Sequence, residues 1–248
     1  MKTPIFISSL FFIISASHAQ YNPVTSMQTN FKDIATFSKN KRQSGFESVQ
    51  TYSNNDVRGS QFFYPSFENG SVTTLNNEVI ANLYQFLFDK VRQELFIISR
   101  DDKRDPPEIL LADKSQVKTF TITTNKDHVF VPAANYFPDN KNDFFEVLDK
   151  DDSAFTLLKY VKTTYVKMNS SDILRMRRGE MYDEFIDEVT YYLSFRNGKP
   201  QLVNLKQKSI TNAFPAAKKE AVQDYFRTHG QEEYNEQFLI NIVDAMNK

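Results

Sequence analysis

The chain has 248 residues, with no cysteine and no tryptophan, and carries 30 Lys and Arg against 31 Asp and Glu. The missing thiols exclude a disulfide scaffold, a thiolate metal site and a cysteine nucleophile. The net charge of −1 excludes a global field that would gather nucleic acid or anionic lipid. Stability has to come from an ordinary core, and 23 Phe and 12 Tyr make it an aromatic one.

Residues 1–19 read as a cleavable export signal. Lys2 gives a positive start, Ile5 to Ile14 is apolar apart from Ser8 and Ser9, and Ser17-His18-Ala19 places small residues at the cleavage positions before Gln20. The run is too short for a membrane span, which needs about 20 residues. The expected product is exported, periplasmic or at the cell surface, without an integral span once the signal is gone. It is not a lipoprotein, because no cysteine is there to carry the lipid. Residues 20–59, rich in Asn, Ser, Gln and Lys with scattered Phe31, Ile34, Phe37 and Phe46, read as a poorly ordered arm.

From Ser60 the pattern changes to short apolar and aromatic runs bounded by Asn, Asp, Gly or Pro, the signature of an antiparallel β-meander over 60–206. The expected strands are Gln61–Tyr64, Ser71–Asn76, Val79–Asp89, Arg92–Ser99, Glu108–Ala112, Val117–Thr124, His128–Pro132, Phe144–Asp149, Phe155–Met168, Glu188–Phe195 and Gln201–Leu205. No long helical pattern separates them, so parallel crossovers are not expected. Alternation turns Phe120 and Ile122 inward and Val117, Thr119 and Thr121 outward; it also places Val189, Tyr191, Leu193 and Phe195 on one core-facing side. Asn197-Gly198 has the chemistry of a two-residue type I′ turn between the last two strands. The polar stretches 101–107 and 137–143 read as surface loops.

The period changes again over 207–248. Pro215 suits a first helical turn, Val222 and Phe226 lie four apart, and Gly230 ends that helix. Tyr234, Phe238, Leu239, Ile242, Val243 and Met246 then form one apolar stripe. Ser209–Phe214 adds a further turn. The fold class is mainly β: a meander forming a sandwich or half-open barrel, capped by a C-terminal helical hairpin. A helical ending also argues against an outer-membrane barrel.

Few residues offer chemistry. His128, after Lys126-Asp127, reads as turn or strand-edge surface, and His229 as a cation near a helix C-terminus. No nucleophile elbow and no glycine-rich phosphate loop is present. Asp183, Glu184, Asp187 and Glu188 form the densest acidic group, the basis for reading the chain as a carboxylate-dependent carbohydrate hydrolase. Asp139–Asp143 and Asp149–Ser153 alternate oxygen ligands but lack the glycine and glutamate of a calcium loop. Arg175-Met176-Arg177-Arg178, beside Glu180, Asp183 and Glu184, reads as a solvated edge. No residue qualifies as catalytic, cofactor-binding or metal-binding, and no cofactor is expected.

The stretches Asp56–Phe63, Gly70-Ser71-Val72, Leu87–Leu95, Tyr182-Asp183-Glu184-Phe185 and Tyr191-Tyr192-Leu193 resemble uncharacterised exported β-rich proteins of Bacteroidota. The resemblance implies a periplasmic or surface setting in a two-membrane bacterium and no activity. Asp152-Ser153-Ala154 is similar to the O-glycosylation acceptor of that group. The functional expectation is a non-catalytic envelope protein that binds a protein, a glycan or a small apolar ligand. The hydrolase is the first alternative, and a structural or adhesive surface component working through the arm is the second.

Overall fold

The computed structural model describes residues 57–103, 108–149, 154–168, 171, 173–179, 182–195 and 199–248. The signal segment, the arm as far as 56, the Asn197-Gly198 turn and the Asp152-Ser153 part of the acceptor motif lie outside the described residues.

Among the described residues twelve strands form two open sheets. The strands are β1 (Val57–Arg58), β2 (Asn69–Thr74), β3 (Val79–Ala81), β4 (Tyr84–Asp89), β5 (Glu94–Ser99), β6 (Leu110–Leu111), β7 (Val117–Thr123), β8 (Asp127–Pro132), β9 (Phe144–Val147), β10 (Phe155–Val166), β11 (Asp183–Phe195) and β12 (Gln201–Val203). The large sheet runs β1-β11-β10-β9-β8-β7-β2-β3 with β12 also on β11, and the small one runs β4-β5-β6. Strands β7 to β11 are a continuous meander, and the architecture is a partial sandwich, not a closed barrel. The helices are α1 (Ile173–Arg177), α2 (Gln207–Ala213), α3 (Lys219–His229) and α4 (Glu236–Asn247).

Several expected elements are corrected. The arm contributes β1, paired in parallel with β11 through Val57 and Asp183, where only antiparallel neighbours were expected. Gln61–Tyr64 makes only an isolated bridge, Phe62 to Asp89. The run Val79–Asp89 breaks at Asn82, whose φ of 57° lets the chain leave the large sheet for the small one. β11 begins at Asp183, five residues earlier than its apolar alternation marks. β11 and β12 pair antiparallel, with Leu193 opposite Gln201 and Tyr191 opposite Val203.

Both cores sit on one face of the large sheet. Toward β2 that face is covered by the small sheet, and Val72, Phe120, Ile122, Phe130 and Phe144 meet Phe86, Phe88, Leu95 and Ile97. Phe120 stacks on Phe130 at 4.6 Å between centroids. Burying each such side chain stabilises the fold by about 2–3 kcal/mol before ordering costs. Phe120 and Ile122 point inward as expected. Val117 does too, against expectation: Thr73 faces Thr119 but Thr74 faces Val117, so Lys118 is the extra residue of a bulge that shifts the alternation.

Toward β11 the same face is covered by α2, α3 and α4. Phe155, Leu157 and Leu193 meet Ile210, Phe214, Val222, Phe226, Phe238, Leu239, Ile242 and Val243. The apolar stripe of α4 is buried as its spacing predicts. Asn235 caps α4, its side chain accepting from Phe238 N at 3.0 Å. Asn247, at the helix's far end, donates to Asp149 and Phe155 O and accepts from Phe155 N. The expected inward side of β11 is covered only around Leu193 and Tyr191; Val189 and Phe195 are each 45% exposed. The opposite face carries a smaller cluster of Phe145, Leu158 and Ala133 with Phe137 and Tyr192. No helix of the described residues is long and apolar enough to cross a membrane.

Candidate functional site

The two cores meet at a line of polar side chains. Glu146 stands opposite Phe130 on β8 and opposite Lys159 on β10, so it falls between the sandwich core and the helical core. Its Oε1 lies 2.7 Å from His128 Nδ1, and its Oε2 lies 3.8 Å from Lys159 Nζ. Lys159 Nζ also lies 2.7 Å from Glu236 Oε2, and Tyr191 donates its hydroxyl to the same oxygen at 3.0 Å. The line thus runs from a buried imidazole to the partly exposed first turn of α4, where an acidic residue also suits the helix dipole. Burial, followed by the charge of Glu236, holds the Tyr191 hydroxyl well above the usual phenol range.

His128 is buried, contrary to the expectation of a surface turn, and is covered edge-on by Phe63 at 4.9 Å. The tautomer that satisfies Glu146 carries its proton on Nδ1 and leaves Nε2 as an acceptor; Nε2 is buried without a hydrogen-bond partner.

A second ion pair lies further along the same face. The hairpin turn between β4 and β5 reaches over the large sheet: Lys90 Nζ donates to Asp187 Oδ2 at 2.6 Å, and Thr163 donates to Oδ1 at 2.6 Å. Asp89, 1% exposed, organises that turn by accepting from Val91 N and Arg92 N, and burial raises its pKa above the usual carboxylate range. Gln93, at φ 55°, donates to Val161 O and accepts from Phe144 N. Between the two ion pairs, Val161 and Val189 stand opposite each other on this face. The result is a window with an apolar floor, bounded on one side by Lys90, Asp187 and Thr163 and on the other by Lys159, Tyr191 and Glu236. Asp187 and Tyr191, four residues apart on one strand, put the rims about 13 Å apart.

The acidic group picked out in the sequence does not form a facing carboxylate pair. Alternation along β11 puts Asp183 and Asp187 on one face and Glu184 and Glu188 on the other. Asp183 accepts from the Tyr165 hydroxyl and from Met168 N, and these bonds, the tyrosine first, hold its pKa below the usual range. Glu184 pairs with Arg175 at 3.7 Å. His229 ends α3, stacked on Tyr225 at 4.0 Å. In the 139–143 loop, Asp143 accepts from Asn140 and from the Tyr160 hydroxyl. Asp149 accepts from Asn247, while the residues 150–153 that follow it lie outside the described ones. Among the described residues no three metal-ligating side chains come together.

No family model, no curated protein and no solved structure matches the chain. The window and the polar line therefore stand on their own geometry. Their sequence signal was parity: His128 is two residues before inward Phe130, Glu146 two after Phe144, and Lys159 two after Leu157. A polar residue at an inward position of an apolar strand marks a buried partner or a site.

Proposed function

We propose that the chain is a non-catalytic envelope protein, exported by its N-terminal signal in a two-membrane bacterium related to the Bacteroidota, and that it binds a glycan in the Val161–Val189 window. The window itself carries the reading. A sugar ring presents an apolar C–H face and a rim of hydroxyls that both donate and accept. The floor of the window is two valines, and each rim combines a lysine, a carboxylate and a hydroxyl. About 13 Å between the rims suits one or two sugar residues. The carboxylates at both rims already hold cations, which favours recognition over proton transfer.

Titration calorimetry with oligosaccharide fragments of bacterial envelope polymers and of host or plant polysaccharides tests this. One class is expected to bind the wild-type protein and not the Val189→Asp variant, which places a charge on an already exposed floor position. Equal binding by both proteins, or no binding by any fragment, would overturn the reading; cleavage of the fragment would replace it with the hydrolase.

A further inference from the structure

β11 is paired along one edge and only at the two ends of the other. β10 holds the first edge from Glu184 to Phe195. On the opposite edge β1 pairs with Asp183 and Glu184, and β12 pairs with Tyr191, Tyr192 and Leu193. Between these two short strands, residues 185–190 face no strand among the described residues, a gap of about 20 Å. Ile186, Asp187, Glu188 and Val189 are exposed one after another, on both faces of the sheet, as an uncovered edge requires.

The neighbouring strand fixes which main-chain groups the gap presents. On β10, Leu157 O accepts from Leu148 N, Val161 O accepts from Gln93, and Phe155 N and O both bond to Asn247. The odd-numbered residues of β10 therefore turn their main-chain groups away from β11. Residues directly opposite in an antiparallel pair either face each other or both face away, so Asp187, opposite Thr163, and Val189, opposite Val161, turn theirs away from β10. The N–H and C=O of Asp187 and of Val189 thus point off the sheet, with no partner among the described residues. Phe185 O points the same way, toward Gly59, where β1 turns aside at φ 74°.

We infer that an extended run from the arm of a second copy of this chain adds as a strand in the gap. A row of unpaired main-chain groups on a sheet edge is a template for another strand. β1 and β12 stand at the two ends of the gap, so the edge of a second folded sheet cannot reach it, whereas a single extended chain can. The arm, residues 20–56, supplies such a chain and joins the fold at Val57, on this same edge. Its residues 46–52 hold neither Gly nor Pro and include Val49, Thr51 and Tyr52, residue types that favour strands. Only residues 53–56 separate that run from Val57, and β1 itself fills the edge between the run and the gap, so its own chain would have to fold back across β1. A second copy's run meets no such obstacle. Ile186 and Val189, exposed on opposite faces, would both be covered by side chains of the added strand.

Light scattering over a concentration series, together with hydrogen exchange of the main-chain amides, tests this on the chain without residues 1–19. The wild type is expected to assemble as concentration rises, with exchange at Asp187 and Val189 slowed about ten-fold or more in the assembled protein relative to the dilute monomer. A chain of the same length with residues 46–52 replaced by alternating Gly and Ser is expected to stay monomeric and to show no such slowing. Its circular dichroism should match the wild type, because the replaced run lies outside both cores. A wild type that is monomeric throughout, slow exchange at both amides that does not change with concentration, or assembly of the Gly-Ser chain like the wild type would overturn the inference. None of these results bears on the glycan reading, whose test changes a side chain of the window and leaves the arm intact.

Discussion

Lys159, in the middle of the longest hairpin, holds Glu236, in the first turn of the last helix, at 2.7 Å. The same ammonium lies 3.8 Å from Glu146, whose side chain is 5% exposed. One cation thus joins a buried carboxylate on the sheet to a half-exposed one on the helix, at the boundary where the sandwich core gives way to the helical core.

Removing that cation should be costly because Glu146 would keep only His128 as a partner. Lys159→Met is expected to destabilise the protein by about 3 kcal/mol, the low end for breaking a buried pair, because Lys159 is itself partly exposed. Adding Glu146→Gln should restore part of the loss, since the uncompensated charge goes with it. Urea unfolding of the two single variants and the double variant measures this; strictly additive losses would show that Lys159 and Glu146 do not interact.

Alkali should unfold the protein through its tyrosines. Burial, and then the carboxylates of Asp143 and Glu236, raise the hydroxyls of Tyr160 and Tyr191 above the ordinary value of 10.0. Above about pH 10 the unfolded chain releases these protons while the folded chain keeps them. The unfolded state then binds fewer protons, and stability falls as pH rises. The contribution is fully present below pH 10 and is lost above it. The urea midpoint is expected to decline across that range, and less steeply in the Tyr160→Phe, Tyr191→Phe double variant. An unchanged slope would show that these phenols do not control it.

Gly70 is required by contact. A Cβ there would stand 2.0 Å from Thr121 O and 3.2 Å from Phe86 on the small sheet. Gly70→Ala must push β2 off β7 or displace a fully buried ring, at a cost of about 2–4 kcal/mol. Thermal or urea unfolding checks this, and a loss below about 0.5 kcal/mol would mean that β2 does not approach β7 and Phe86 this closely.

Much of this architecture was legible because it is local. The alternation around Phe120 and Ile122 and the stripe from Tyr234 to Met246 each need only their own few residues to be read. What was not legible depended on residues far along the chain. His128 follows Lys126-Asp127 and looks like a turn until Glu146, eighteen residues on, is seen beside it on the next strand. Val189 and Phe195 alternate correctly, but burial requires a covering layer, and the helices reach only as far as Tyr191 and Leu193. The bulge at Lys118 shifts parity by a pairing that no run of single residues announces. The acidic group on β11 looked like one cluster because sequence proximity hides the two faces of a strand.

The recognition window is tested most directly by the methyl signals of its floor. In a protein labelled at valine methyls, addition of a bound oligosaccharide is expected to shift Val161 and Val189 first and saturably, while Val72, deep in the sandwich core, stays still. Saturable binding that leaves both signals in place and moves others would contradict the account.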